Sequence, residues 1–329
     1  MKKHKIITIG GFVISIILLC FSLYGVEFNK LINILRSADM RFAFIPITCI
    51  SLCCLLCAHR WSRVVGNTVR FRDTFIALFV GLFLNNVLPA RIGEVARGYM
   101  LSKRTGISFT YALTTVLVDR FFDLVGLLII TLIALRFLPK HSLPYMIWFG
   151  IYMLLILLVA CIILLIVLSR EKFAFKISRL LTGINRPFIS QLAKRVLEIQ
   201  ENLNRINSPA NLVYFILIAV TMWLLMSTAL YFTMLMLSIK IGFIVAVFIC
   251  ALINMSLIIP SSPGYVGYYQ GAFCLLLPIF GITKDEALTT SLVFQATWYI
   301  PYTILGGMLS IKEHLKIKDI QKLEEKTDA

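Results

Sequence analysis

Apolar residues run along this chain in long blocks, broken at a few places by charge or by Pro and Gly. Six blocks (Ile6–Tyr24, Phe42–Ala58, Tyr111–Leu135, Tyr145–Leu168, Asn211–Leu237 and Ala287–Leu309) approach or exceed the roughly 20 residues that a helix needs to cross a bilayer. Three shorter runs, Phe75–Leu88, Phe243–Ile259 and Tyr265–Phe280, each abut a Pro/Gly/Ser element. The pattern predicts an all-α polytopic membrane protein with about six to eight spans. One sizeable polar segment, 169–209, carries Ile177, Leu180, Leu181 and Ile184, then Ile189, Leu192, Val196, Ile199 and Leu203, at helical spacing among basic residues. It reads either as an amphipathic cytoplasmic insert on the membrane face or as a charged helical linker. Residues 1–311 then form one transmembrane domain holding this insert, and 312–329 a charged cytoplasmic tail.

The shorter runs carry an internal echo. Asn86-Val87-Leu88-Pro89-Ala90-Arg91-Ile92-Gly93-Glu94-Val95 and Ile258-Ile259-Pro260-Ser261-Ser262-Pro263-Gly264-Tyr265-Val266 both have Pro, Gly four later and Val two after that, with the first prolines 171 residues apart. Asn85 and Asn86 precede the first break, and Asn254 precedes the second. Broken segments at corresponding places of two halves mark substrate sites in membrane transporters. Taken as re-entrant hairpins, Phe75–Leu101 and Phe243–Phe280 leave six full spans and enter from opposite faces, the geometry of an inverted repeat. The other reading is two ordinary kinked helices and a chance echo.

Composition and charge sharpen the class. Of the 329 residues 59% are hydrophobic, against about 45–50% in soluble domains. With the N-terminus inside, 24 of the 32 Lys and Arg fall on cytoplasmic segments and seven on outer ones. This is the positive-inside bias of a cell-membrane protein with both termini cytoplasmic. The net charge of +16 does not point to nucleic acid, because the charges sit in short loops between spans, where anionic lipid headgroups are the natural partner. Lys2, Lys3 and Lys5 precede the first block as in a signal peptide, but Glu27-Phe28-Asn29 follows it in place of small residues, so it reads as a retained span. All eight cysteines lie in apolar segments; Cys49, Cys53 and Cys57 share a helix face, as packing residues and not as a disulfide or metal framework. His4, His59, His141 and His314 sit near membrane edges. With no nucleophile–His–acid set, no phosphate-binding Gly/Lys loop and no metal-ligand spacing, the chain reads as a non-enzyme without cofactor.

Ionisable residues inside the apolar blocks are the candidate chemistry. Asp119 and Asp123 are four apart and share a helix face, with Arg120 beside them. They form either an ion-pair lock with an arginine of the first hairpin or a site in which Arg120 holds a phosphate. Arg91, Glu94 and Arg97 follow Pro89 at intervals of three, where the free N–H groups of a starting helix and a planar guanidinium fork both suit an anion. Anchoring in a cytoplasmic loop is the alternative. Ser261, Ser262 and Gly264 offer hydroxyls and turn amides, or a cap for the helix bearing Tyr268 and Gln270. Trp223 reads as an interfacial belt residue. The candidate headgroup set is therefore Asn86, Arg91, Glu94, Arg97, Asp119, Arg120, Asp123, Ser261, Ser262, Gly264, Tyr268 and Gln270.

Three ordered motifs, Asn86-x-x-Pro89-Ala90-Arg91-x-Gly93-Glu94-x-x-Arg97, Asp119-Arg120-x-x-Asp123 and Pro260-x-x-Pro263-Gly264-x-x-Gly267, resemble the lysylphosphatidylglycerol synthase transmembrane region, or flippase-like, family. The resemblance implies a multi-span protein that moves or handles lipids, in the best understood members alongside a soluble aminoacyl-transferase domain. This chain stops at Ala329 without such a domain, so aminoacylation is not expected. It also has Gln270 where members often carry an acid, and Tyr265 where they have a second Gly. The expected function is translocation or binding of a lipid with an anionic phosphate headgroup. The alternative is a non-catalytic scaffold for a lipid-modifying or glycosyl-transferring membrane enzyme, docking through the basic insert.

Overall fold

A computed structural model of the chain describes residues 2–66, 69–88, 92–138, 208–257 and 262–315, with single positions between 148 and 179. Pro89, Ala90, Arg91, Pro260, Ser261, most of Tyr145–Leu168 and of the 169–209 insert, and the tail beyond 315 lie outside these residues. Among the described residues there are ten α-helices and no strand: α1 (Lys2–Leu23), α2 (Phe28–Arg36), α3 (Phe44–Val65), α4 (Phe71–Val87), α5 (Ile92–Thr105), α6 (Phe109–Phe137), α7 (Pro209–Met236), α8 (Phe243–Ser256), α9 (Tyr268–Leu276) and α10 (Lys284–Lys312).

Five of the six predicted full spans coincide with α1, α3, α6, α7 and α10. Met40–Val65 and Ala210–Met236 are long and apolar enough to cross a bilayer unaided, and the bent pair Phe12–Leu23 and Phe28–Arg36 makes a third candidate. Helices α6 and α10, with 29 residues each, have the length but carry interrupting polar groups. Starts are set locally: the Ser108 and Ser208 hydroxyls accept the Tyr111 and Asn211 amides, and Thr283 forms a capping box with Glu286. The C-terminus of α1 is capped by a cation: Lys284 Nζ donates to Phe21 O (2.5 Å) and Tyr24 O (2.6 Å). Lys30 and Arg36, two of the seven charges assigned by sequence to outer segments, lie on helix α2, bent 81° from α1. Leu31 and Ile34 of α2 turn inward while Phe28, Ile32 and Leu35 stay exposed.

Both short broken elements fold back on themselves. Helix α4 stops because residue 89 is proline, which drives Leu88 into an extended conformation. The chain returns as α5, antiparallel to α4. At the open end, Arg104 Nη2 pairs with Asp73 Oδ1 (2.7 Å), and Arg104 also pairs with Glu313 beyond α10. At the closed end, the Gly93 amide donates to Asn85 Oδ1 (2.9 Å). A Cβ at Gly93 would strike the Gly81 carbonyl, so glycine is what lets these two backbones touch.

In the second element α8 runs in, and Tyr268 Oη donates to Ser256 O (2.8 Å) across the break. Chain return there brings the Phe280 ring to 6.3 Å from Phe248. The intervening turn places Gly264, Tyr265 and Gly267 at positive φ. The tips of the two elements meet on α10: Asn86 Nδ2 donates to Tyr299 O (3.3 Å) and Thr303 Oγ1 (3.0 Å), and a Cβ on Gly264 would lie 3.3 Å from Asn86 O and collide with the Tyr299 ring.

Candidate functional site

Six charged side chains from three helices form one continuous network. Asp119 and Asp123 lie one turn apart on α6 and face α3. Arg60 Nε pairs with Asp119 Oδ1 (2.9 Å), and Arg60 Nη2 with Asp123 Oδ1 (2.6 Å) and the Asp119 carbonyl (3.1 Å). From α5, Arg97 Nη2 reaches Asp119 Oδ2 (2.7 Å), with its guanidinium 3.8 Å above the Trp61 ring. Arg120 bridges outward: Nη1 to Asp123 Oδ2 (2.9 Å), Nη2 to Glu94 Oε1 (3.0 Å) and Nε to Glu94 Oε2 (3.1 Å). Three guanidiniums thus meet three carboxylates. Charges this deep persist only when paired and hydrogen-bonded.

The network has a closed and an open part. The Arg60, Arg97 and Asp119 side chains are 0–1% exposed and Asp123 is 8%, whereas Arg120 is 38% and Glu94 29% exposed. Arg60 Nη1 and Arg97 Nε and Nη1 have no acceptor among the described residues, although buried. The expected ion-pair lock between Asp119 and a first-hairpin arginine therefore exists, through Arg97. Its main partner, Arg60, lies just beyond the apolar block Phe42–Ala58 and counts by sequence among the 24 Lys and Arg of the cytoplasmic segments. The apolar run ends at Ala58, but α3 continues to Val65 and carries Arg60 inside.

Arg120 and Asp123 open onto a cavity of about 190 Å³. Its apolar wall comes from Cys53, Cys54 and Cys57 of α3, Leu78 and Leu82 of α4, and Met222 and Met226 of α7. Asn85 and Asn86 enter from the first break, Asn254 and Leu257 from the second. Tyr265, Tyr269, Trp298 and Tyr302 close the remaining side, with Trp298 centred 5.8 Å from Tyr269 and 5.9 Å from Tyr302. Both broken elements therefore contribute to one chamber with a charged end and an apolar wall. Trp223, read as a belt residue, lines it too and donates Nε1–H to the Asp123 carbonyl (2.9 Å).

Several candidates brace this chamber without lining it. Gln270 is buried: its Oε1 accepts the Gly267 amide (2.7 Å), and its Nε2 donates to Gln295 Oε1 (2.5 Å). Gln295 Nε2 in turn donates to the Gly264 carbonyl (2.7 Å), so two glutamines clasp the turn. The Ser262 hydroxyl donates to Val266 O (2.5 Å) and its amide to Ser15 Oγ (3.0 Å) of α1. Tyr268 ties α9 to α8, as above. Arg91 and Ser261 lie outside the described residues. Gln270→Leu should cost about 1–3 kcal/mol, the penalty for a stranded buried amide and carbonyl, read as a lowered melting temperature in detergent. An unchanged melting temperature would mean water replaces the clasp. Among the described residues no group of three His, Cys, Asp or Glu could hold a metal ion.

Comparison with known proteins agrees with this architecture. The family model for the lysylphosphatidylglycerol synthase TM region matches residues 8–306. A UPF0104 membrane protein of Pyrococcus horikoshii is 25% identical over 95% of this chain and 97% of its own length. Another, from Methanocaldococcus jannaschii, is 24% identical over 69% of this chain and 93% of its own. A third, from Methanothermobacter thermautotrophicus, is 26% identical over 91% of each.

Proposed function

The chain belongs to the lysylphosphatidylglycerol synthase TM region family, and we propose that it binds and translocates a lipid whose headgroup carries an anionic phosphate. The observation that carries this reading is the chamber shared by the two broken elements, with Arg120 at its charged end and an apolar wall of α3, α4 and α7 side chains. An amphiphile needs both surfaces at once. Arg120 offers a planar fork to the phosphate, while Asn85 and Asn254 present side-chain amides to its ester oxygens or polar substituents, and Asn86, whose Nδ2 donates to Tyr299 and Thr303, holds the first tip in place. Arg91, by its place beside Pro89, belongs to the same reading, as does Ser261 beside Pro260. The reaction is movement, not covalent chemistry. Rocking of the two halves about the meeting tips would expose the chamber alternately. The charge asymmetry of the loops supports a cell-membrane protein with both termini cytoplasmic.

The test is reconstitution into phosphatidylcholine vesicles holding a trace of fluorescent phosphatidylglycerol, with dithionite added outside. Protein-containing vesicles should lose the inner-leaflet signal at least several-fold faster than protein-free ones. Equal rates would overturn the proposal.

A further inference from the structure

Helix α10 carries both broken elements, one on each side of Pro301, the proline inside its 29 residues. The segment before Pro301 holds the second element. Gln295 Nε2 donates to the Gly264 carbonyl (2.7 Å), and Gln295 Oε1 accepts from Gln270 Nε2 (2.5 Å). The Phe294 ring lies 6.4 Å from Phe273, and Trp298 5.8 Å from Tyr269. The segment after Pro301 holds the first element. A Cβ on Gly306 would strike the Phe79 carbonyl, so α10 and α4 meet there backbone to backbone. The Tyr302 ring sits edge-on to Phe79 at 6.0 Å, Asn86 Nδ2 donates to Thr303 Oγ1 (3.0 Å), and Glu313, just past the helix, pairs with Arg104 of α5. Trp298 and Tyr302, which flank the proline, both line the chamber.

Resting on the proposed headgroup chamber, we propose that Pro301 is the hinge of translocation: α10 bends there, and each segment carries its own broken element as the chamber changes the face to which it opens. Proline has no N–H and its ring crowds the carbonyl one turn back, that of Thr297, so the helix is weakest where its attachments change over. Side chains reinforce the backbone ladder at this turn. Tyr299 O accepts from Thr303 Oγ1 (2.7 Å) and from Asn86 Nδ2 (3.3 Å), the way a membrane helix tolerates an interior proline. A straight, stiff α10 would resist any rocking of the halves. To let them part it would have to shed either the buried glutamine clasp on the second turn or the close glycine contact with α4. The first leaves buried amides unpaired, and the second opens a packed backbone contact. Bending at Pro301 moves the two chamber walls apart and keeps both sets of contacts.

The experiment uses the full chain in phosphatidylcholine vesicles with fluorescent phosphatidylglycerol. Spin labels on ketone-bearing amino acids stand at Leu292 and Ile311, exposed positions of the two segments, so the native cysteines stay unmodified. A hinge predicts a broad or two-peaked distance between the labels, which shifts when phosphatidylglycerol is added. Pro301→Ala regains the N–H and should melt at or above the wild-type temperature. It should bind the lipid within about twofold of the wild type yet translocate it about three- to tenfold more slowly, the effect of one regained backbone hydrogen bond that bending must break. Its label distance should be single and narrow. Wild-type rate and distances in Pro301→Ala overturn the hinge, and so does a lowered melting temperature, which would make the proline a packing residue. A single, lipid-insensitive distance in a wild-type protein that moves lipid overturns the hinge and leaves the chamber intact. Protein that neither binds nor moves the lipid overturns the chamber, and the distances between the labels still decide whether α10 bends.

Discussion

Asp119→Asn is expected to destabilise the protein by about 3–5 kcal/mol, the cost of leaving buried guanidiniums without their counter-charge. Asp119 is the hinge of the closed part of the network: one oxygen holds Arg60 from α3, the other Arg97 from α5. The amide keeps the shape and loses the charge. Arg60 would keep Asp123, but Arg97 would keep only the Trp61 face, with Nε and Nη1 already lacking acceptors among the described residues. Three helices would lose their common fastening at once. The measurement is thermal unfolding in detergent, followed by tryptophan fluorescence and by the fraction remaining monodisperse. Glu94→Gln supplies the contrast: its pair with Arg120 is partly exposed, so the loss should be about 1 kcal/mol or less. If Asp119→Asn melts with the wild type, the guanidiniums are satisfied without it and the lock is not structural.

The sequence made the helical membrane class legible because apolar block length is nearly sufficient for it. The ionisable residues of α5 and α6 were legible as a group for a related reason: charge in an apolar block needs a partner, and few partners exist. Arg60 was missed because the block before it ends at Ala58 and Arg63 follows, which looks like a loop. A signal was present: Cys53, Cys57, Arg60 and Trp61 recur at helical spacing, so a continued helix would carry Arg60 onto the cysteine face. Gln270, Ser262 and Tyr268 were recognised as polar groups near a break, but composition cannot say which way such groups point. They close the turn's own donors and acceptors, a demand that any buried irregular backbone makes first. Helix α2 went unread because its apolar positions are only half the stretch, and its packing onto the α10 side of the bundle depends on residues more than 200 positions away, such as Asp285, which accepts the Glu27 amide.

Arg120→Gln is expected to weaken binding of a phosphodiester lipid by about 10- to 100-fold while leaving the protein folded. The loss corresponds to one charge-assisted hydrogen-bonded contact of about 1.5–3 kcal/mol, with about 1.4 kcal/mol for each factor of ten. Folding should survive because Arg120 lies at the open end of the network. Its removal leaves Asp123 paired with Arg60, and the Glu94 side chain it bridges to is itself 29% exposed. Arg120→Lys should recover only part of the loss, since a lysine restores the charge but not the fork. Binding of phosphatidylglycerol in zwitterionic detergent micelles, titrated alongside phosphatidylcholine, separates recognition of the net anion from general lipid uptake. Should Arg120→Gln bind phosphatidylglycerol as tightly as the wild type, the phosphate is held elsewhere. The remaining arginine of the proposed site would then be Arg91, beside the first break, and Arg91→Gln would be the variant that loses binding.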